Sequence, residues 1–392
     1  MDNFTFYAPT YFDFGKGAEQ HAAELVRRFG GSKVLLHYGG GSIKKSGLYD
    51  RVAECLEQAG IPYVTLGGVK PNPRSGLVYE GIELCRREKV DFILAAGGGS
   101  TIDSAKAIAA GTLYSGDFMD FYRGKKTIQQ ALPIGTILTI AAAGSEGSPN
   151  TVITDEATQI KKGARSDLLR PKFSILNPEL TCTLPPYQTA AGATDIMIHV
   201  CERYFSNTEE VEITDRLCEA VLKTMIHETP RVMAEPGNYE ARANIMWAGM
   251  LAHNNICGVG RIQDWASHHI EHELSALYDV THGAGLAVIT PLWMRYVWKT
   301  NPHKLVMFAE RVWDIPPDEE HPEETALRGI ERFEAFLRQI GMPSSFKEIG
   351  ARKEDIGRMT DQLLAGRETE GNYVKLKRED VIQIYESAVK GW

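Results

Sequence analysis

Several features are missing from this 392-residue sequence, and each absence removes a class of function. No apolar run approaches the ~18 residues that a membrane-spanning helix needs. The first residues, MDNFTFYAPTYFDFGKG, carry no basic stretch followed by an apolar one, so no secretory signal is expected. Positive charge is in short supply. The formal net charge is −8, which argues against a nucleic-acid partner but leaves room for a local basic pocket that takes a phosphorylated small molecule. The six cysteines (Cys55, Cys85, Cys182, Cys201, Cys218 and Cys257) form no CxxC pair. They exclude a zinc ribbon and a disulfide framework, and read as reduced thiols of a cytoplasmic protein. Neither the dinucleotide fingerprint GxGxxG nor a phosphate loop of the GxxxxGKS kind occurs. No internal repeat and no low-complexity segment is found. What remains is a globular composition, 43% hydrophobic and 24% charged, in a chain long enough for two domains.

The first half alternates strand-like and helix-like segments. Strands are expected over 33–38, 61–69, 90–100, 132–140 and 151–154, with helices over 47–60, from the KPNP turn (70–73) through Lys89, and after 100. Such alternation predicts a parallel sheet covered by helices. From about Pro185 the pattern is helical: 190–205, 209–227, 239–257, 265–277, 302–312, 323–340 and 378–389. The turn-rich segment 175–186 makes the junction. The fold class is therefore an α/β N-terminal domain with a parallel, Rossmann-like sheet over 1–184, followed by an all-α C-terminal domain over 185–392.

Two glycine loops end strands in the first half. Gly98, Gly99 and Ser100 lie where an apolar strand meets a helix. There the backbone can approach a ligand closely, and the N–H groups of a helix start attract a pyrophosphate; a plain tight connection is the alternative. Gly39, Gly40, Gly41 and Ser42 form the second loop. A site selective for NAD usually places an acid near the end of such a strand, yet no Asp or Glu occurs until Asp50. Ser42, Lys44 and Lys45 are at hand instead and could receive a 2′-phosphate, unless they are a solvated surface turn.

In the second half, four of the eleven histidines fall within 265–287: His268, His269, His272 and His282. On a helix, His268 and His272 share a face. Gly283 and Gly285 follow His282 and would let the backbone turn closely around whatever the histidines hold. Upstream, Asp195 and His199 have the same i, i+4 spacing. Together the two stretches offer one carboxylate and two or three imidazoles, a donor set for a divalent transition metal. Taken alone, an Asp/His pair at this spacing is more often a surface hydrogen bond.

The motifs YGGGSIKKSG, KPNP, GGGSTIDSAK, LPIGTILT…GSE and HGAGLA, in this order with the Asp195…His282 set, resemble the iron-containing (group III) alcohol dehydrogenases. Within them the chain looks most like the butanol dehydrogenase and broad-range aldehyde reductase branch. The resemblance implies the dehydroquinate synthase-like fold of that family, with 1–184 as the dinucleotide-binding domain and 185–392 as the metal- and substrate-binding domain. It implies metal ligation by Asp195, His199, His268 and His282, with His272 beside the substrate. It also places Gly98, Gly99, Ser100 and Asp103 at the pyrophosphate, Asn72 near the adenosine, and Thr139, Ser148 and Lys161 along the coenzyme, Lys161 near its nicotinamide. Gly40 falls where NAD-using relatives tend to carry Asp, which resembles the NADP-preferring members. Ser148 stands where some relatives have Asn. Leu180 replaces a Tyr of some aldehyde reductases, implying a more open or more apolar pocket. His269 matches no family role and is taken as a packing or supporting histidine.

The activity so implied is hydride transfer between NADP(H), with NAD(H) as alternative, and a primary alcohol/aldehyde pair such as butanol/butanal. A divalent ion, Fe²⁺ or Zn²⁺, would stabilise charge on the substrate oxygen. His272 is the candidate proton relay. The expected arrangement is a cleft with nucleotide loops on one side and metal on the other. A homodimer is expected, with the N-terminal strand-like segment in its interface. The competing readings are an NAD(H)-dependent alcohol or glycerol-like polyol dehydrogenase, a lyase resembling dehydroquinate synthase, and a metal-free nucleotide sensor.

Overall fold

The computed structural model describes residues 1–392. They form two compact units, Tyr7–Thr183 and Leu184–Trp392, and Met1–Phe6 groups with the second. Local bonds tie the amino terminus there: the Asp2 N–H donates to the Gly260 carbonyl (2.8 Å), and Thr208 Oγ1 donates to the Asp2 carboxylate (2.9 Å).

The α/β unit contains β1 (Tyr11–Phe14), α1 (Ala22–Arg28), β2 (Val34–Tyr38), α2 (Ser42–Lys45), α3 (Leu48–Gln58), β3 (Tyr63–Leu66), α4 (Ser75–Glu88), β4 (Phe92–Gly97), α5 (Gly99–Thr112), α6 (Met119–Tyr122), β5 (Ile134–Leu138), β6 (Asn150–Asp155), β7 (Ile160–Arg165) and β8 (Phe173–Leu176). Six strands make one sheet in the order β1-β8-β5-β4-β2-β3, every pairing parallel. The central strands β2, β4 and β5 are buried along their whole length, which explains their unbroken apolar runs.

Two strand readings need correction. Residues 151–154 do not join the parallel sheet; they lie in β6, which pairs antiparallel with β7 as a separate hairpin. Only four residues connect the two, far fewer than a parallel crossover requires. Ile175 and Leu176 belong to β8 inside the main sheet, so the junction segment begins as a strand.

One core group in this unit carries a pH signature. His37, fully buried on β2, has Nδ1 2.9 Å from the Leu66 carbonyl and Nε2 2.9 Å from Ser104 Oγ. A carbonyl only accepts, so Nδ1 carries the proton and Nε2 accepts from the serine hydroxyl. Burial lowers its pKa from 6.5 to about 4, against the raising effect of the Leu66 bond. Between those values the unfolded chain binds a proton that the folded one refuses, so stability falls as pH drops from 6.5 toward 4 and is unaffected above. The full window corresponds to about 3 kcal/mol. In His37→Asn, the acid-induced loss of Tm between pH 7 and 4.5 should shrink accordingly; a loss equal to the parent's would remove His37 as its source.

The helical unit contains α7 (Pro186–Tyr204), α8 (Glu212–Ala234), α9 (Tyr239–His253), α10 (Ala266–Tyr278), α11 (His282–Val297), α12 (His303–Trp313), α13 (Pro322–Gln339), α14 (Phe346–Ile349), α15 (Ile356–Leu363) and α16 (Arg378–Lys390). Helix α11 has no counterpart among the expected helices. Its sequence, HGAGLAVITPLWMRYV, is apolar almost all round and contains Pro291, so no amphipathic period marks it; it is buried on nearly every side. No helix is long and apolar enough to cross a membrane.

Candidate functional site

In the α/β unit the two glycine loops meet. The chain adds β3 on one side of β2 and β4 on the other, so the strand order reverses there, and the carboxyl ends of β2 and β4 run into Gly39–Gly41 and Gly97–Gly99. This is where open α/β sheets bind their ligands. A Cβ on Gly39 would lie 3.7 Å from Thr101 Oγ1 of α5, so the loops are neighbours. Helix α5 begins at Gly99 without a side-chain cap. The loop is tightly roofed: a Cβ on Gly98 would meet Ile140 at 2.1 Å, and one on Gly99 would meet Ala143 at 2.8 Å. Thr139 is bonded to it through its N–H, which donates to the Gly97 carbonyl (3.0 Å). Ser100 is half-buried in the first turn of α5. Gly40, Gly41 and Ser42 are exposed, with open space around a Cβ on Gly40 or Gly41.

Asp103 and Ser148 have mostly internal partners. The Asp103 carboxylate accepts from Ser145 Oγ (2.5 Å) and the Val152 N–H (2.9 Å). Ser148 is buried, and its carbonyl is one of four oxygens that share the three N–H donors of Lys106 Nζ at 2.7–2.9 Å; the others are Ser145 O, Ser145 Oγ and Asn150 O. Burial lowers the Lys106 pKa to about 8, against the raising effect of Asp103 and Glu146. Asp103 and Lys106 therefore hold the 145–152 segment beside the glycine loop.

Asn72 and Lys161 are brought together. Lys161 Nζ donates to Asn72 Oδ1 (3.0 Å), both side chains buried. The resemblance sets them apart, at the adenosine and at the nicotinamide; as a hydrogen-bonded pair they would meet one part of a coenzyme together. Leu180 is half-buried and packs against the apolar core of this unit.

The second cluster lies in the helical unit. Asp195 and His199 sit one turn apart on α7, His268 in the first turn of α10, and His282 is the first residue of α11. From Asp195 Oδ1, His199 Nδ1 is 3.2 Å away, and the Nε2 atoms of His268 and His282 are each 3.8 Å away. One donor atom each from Asp195, His268 and His282 lies within 4.8 Å of the others; His199 adjoins this trio through Asp195. Asp195 Oδ1, His199 Nδ1 and His268 Nε2 are buried without a hydrogen-bond partner. Buried polar atoms are almost always satisfied, so three orphans around one point fit a cation that the side chains were built to hold.

Two carboxylates that the sequence reading missed orient the imidazoles. Glu202 Oε1 accepts from His268 Nδ1 (2.8 Å), the His268 N–H (2.9 Å) and Ser267 Oγ (2.7 Å), while Oε2 accepts from the Trp265 N–H (2.8 Å). A residue of α7 thus caps the start of α10. Glu271, fully buried, accepts from His282 Nδ1 and Ser275 Oγ. With Nδ1 protonated in both rings, each Nε2 lone pair is left for a ligand. Glu202 was visible in principle, because Asp195, His199 and Glu202 recur at i, i+4 and i+7 on one helical face. Glu271, His272 and His282 also bring donor atoms within 4.8 Å of one another, but Glu271 is already occupied.

Without an ion, the acids of the cluster draw a proton onto His268, which a metal would displace on binding. Burial resists ionisation of Asp195, yet His199, His282 and His268 outweigh it and hold the carboxyl below the usual range. Burial keeps His199 neutral, its pKa well below 6.5. His268 is pulled down by burial but up more strongly by Asp195 and Glu202, reaching about 9.

The helix HGAGLA motif works differently from the expected turn. Gly283 and Gly285 lie inside α11; a Cβ on Gly283 would come within 1.9 Å of the Ala191 carbonyl oxygen of α7, and one on Gly285 within 2.5 Å of Glu271. They permit close packing, not a turn. His272 is half-buried, its ring centroid 5.5 Å from that of His282 and 6.0 Å from that of His269. His269 Nδ1 is paired with Glu370 (2.7 Å).

A parallel α/β sheet with glycine loops at its switch point, in a chain that also has a helical unit carrying an Asp/His cluster, describes a class of metal-dependent oxidoreductases, and sequence comparison agrees. Residues 9–178 match the family model described as iron-containing alcohol dehydrogenase, and residues 189–389 match that of the Fe-containing alcohol dehydrogenase family, C-terminal. The chain belongs to the iron-containing alcohol dehydrogenase family, as an NAD(P)-dependent alcohol dehydrogenase or aldehyde reductase. It is 44% identical over 393 residues to the probable NADH-dependent butanol dehydrogenase 2 of Bacillus subtilis, covering 99% of this chain and 100% of that one. It is 37% identical over 366 residues to the NADPH-dependent aldehyde reductase YqhD of Escherichia coli, covering 93% of each. The crystal structure of the NADH-dependent butanol dehydrogenase A of Thermotoga maritima superposes with a TM-score of 0.96 at 43% identity over 99% of both chains.

Proposed function

We propose that the protein interconverts an aldehyde such as butanal and its primary alcohol, with NADP(H) as preferred coenzyme and one Fe²⁺ or Zn²⁺ held by Asp195, His199, His268 and His282. The observation that carries this reading is the set of buried, partnerless donor atoms converging near Asp195 Oδ1. Reduction consumes the aldehyde, one reduced coenzyme and one proton. The coenzyme supplies the hydride, and the metal supplies Lewis acidity toward the substrate oxygen.

The chain's own residues do the rest. Glu202 and Glu271 fix the tautomers of His268 and His282. His272, beside His282 and half-exposed, passes the proton between the substrate oxygen and water. Gly98, Gly99 and Ser100 receive the pyrophosphate, and Thr139 helps wall that loop. Asn72 and Lys161 act as one unit on the coenzyme. Asp103 and Ser148 serve the coenzyme by holding the 145–152 segment in place.

The coenzyme preference rests on the end of β2. Gly39, Gly40 and Gly41 carry no carboxylate, while exposed Ser42 and Lys45 follow at once. Lys44 is turned toward the rings of Tyr38 and Tyr49, with Nζ 5.5 and 5.2 Å from their centroids. The relatives include both NADH- and NADPH-dependent enzymes, so the local chemistry is the guide. Metal-stripped protein reloaded with Fe²⁺ or Zn²⁺ should reduce butanal faster with NADPH than with NADH. Gly40→Asp, which has open space for its side chain, should shift that ratio at least tenfold toward NADH. Higher activity with NADH in the parent would overturn the NADP(H) reading and favour an NAD(H)-dependent alcohol or polyol dehydrogenase.

A homodimer is part of the proposal. Edge strand β1 is paired on one side only, and Tyr7, Tyr11 and Phe14 are exposed there. A single-chain mass by light scattering would remove it. Six unpaired cysteines accord with a reducing cytoplasm.

A further inference from the structure

Trp265 is the one aromatic residue of the helical unit whose backbone is strained at the metal cluster. Its φ is +76°, in the left-handed region that side chains other than glycine rarely adopt, immediately before α10. The strain has a visible return. Its N–H reaches Glu202, and its indole lies against three histidines, with ring centroids 5.2 Å from His268, 5.9 Å from His199 and 5.7 Å from His253.

The face of the indole is covered by a buried cation. The Arg203 guanidinium sits 4.6 Å from the ring centroid. One Nη donates to the His199 carbonyl (2.5 Å) and the other to His253 Nδ1 (3.1 Å). His253, the last residue of α9, packs at a tilt against His199, with ring centroids 4.3 Å apart. Trp265 and His253 therefore cage the imidazole of His199 from two elements, while Arg203 fastens its backbone carbonyl and braces both. None of the three offers an atom to the donor cluster.

We propose that Trp265, together with Arg203 and His253, is a positioning residue that holds the His199 imidazole as a ligand and keeps water from the protein side of the cluster, so that it governs how slowly metal is lost. This rests on the metal site proposed above. A ligand ring packed edge-on against Trp265 and at a tilt against His253 has little room to swing away, and dissociation of a multidentate site begins with one ligand leaving. The ordering of supporting groups around ligands commonly matters ten- to a hundredfold in metal affinity.

The test is the rate at which Zn²⁺-loaded protein yields its metal to excess chromogenic chelator. Trp265→Gly removes the ring and, unlike Ala, suits the positive φ. It should lose metal at least tenfold faster than the parent, while Trp265→Phe, which keeps a ring, should stay within threefold. Phe308→Leu, a core change in the same unit among Tyr204, Phe205 and Phe333, serves as a stability control and should release metal at the parental rate. Parental release from Trp265→Gly, or equally fast release from the control, would overturn the proposal. If Trp265→Gly does not fold, His253→Leu opens the cage from the other side and carries the same tenfold expectation, with parental release again the refuting result. A parent that binds no metal would remove both this inference and the metal site beneath it.

Discussion

Replacing Asp195 by asparagine should abolish metal binding and lower aldehyde reduction by a thousandfold or more. The substitution preserves shape and removes one charge, so what it changes is electrostatic. Asp195 Oδ1 is the common neighbour of all three imidazoles, at 3.2 to 3.8 Å. It is also the only carboxylate in the proposed set, Glu202 and Glu271 being occupied by His268 and His282. Three neutral imidazoles in a buried site give a divalent ion nitrogen donors but no charge compensation, and burying an uncompensated charge is costly. Several kcal/mol of transition-state stabilisation disappear with the ion, and each 1.36 kcal/mol is about tenfold in rate. Two readouts separate this from misfolding. The Tm of the metal-free variant should stay close to that of the metal-free parent, while the rise in Tm on adding metal, seen only when the native state binds it, should vanish. Full metal occupancy in Asp195→Asn would mean that the donor set has been misread.

Much of this site was legible in the sequence, and the reasons differ by residue. Asp195 and His199 were readable because an i, i+4 repeat on a helix needs no tertiary information. His268 and His282 were readable as chemistry, but their meeting depends on α11, whose uniform hydrophobicity carries no period. The parallel sheet announced itself through buried strands β2, β4 and β5, whereas β8 hid in a segment rich in turn residues and β6 resembled its parallel neighbours. Glu202 and Glu271 are acids inside apolar helices, a signal that could have been weighed but gives no partner by itself. The placement of Asn72 against Lys161, 89 residues apart, could come only from coordinates. Motif resemblance gave candidate coenzyme residues as a set; it could not tell that the Asp103 carboxylate accepts from Ser145 and Val152.

Adding one methyl group at Gly283 should do almost as much damage as removing the Asp195 charge, by a different route. The Cβ of Gly283→Ala would fall 1.9 Å from the Ala191 oxygen, 2.7 Å from its carbonyl carbon and 3.0 Å from its Cα. All three are backbone atoms, so no rotamer change can relieve the clash, and α11 must move away from α7 as a body. Overpacking of this kind costs roughly 1–3 kcal/mol where side chains can yield, and a clash against backbone belongs at or beyond the upper end. The site moves with the helices. His282 precedes Gly283 directly, and Asp195 lies one turn beyond Ala191, so separating the helices carries His282 Nε2 away from Asp195 Oδ1. Ligand sets tolerate displacements of only about 0.5 Å, so metal affinity should fall at least a hundredfold together with a clear drop in Tm. Gly357→Ala makes the matching control: the same methyl is added in a helix, α15, where a Cβ would meet nothing within 4 Å. That variant should be neutral or slightly more stable and should keep its metal. If Gly283→Ala behaved like Gly357→Ala, the close contact of α7 with α11 could not be what sets His282 against Asp195.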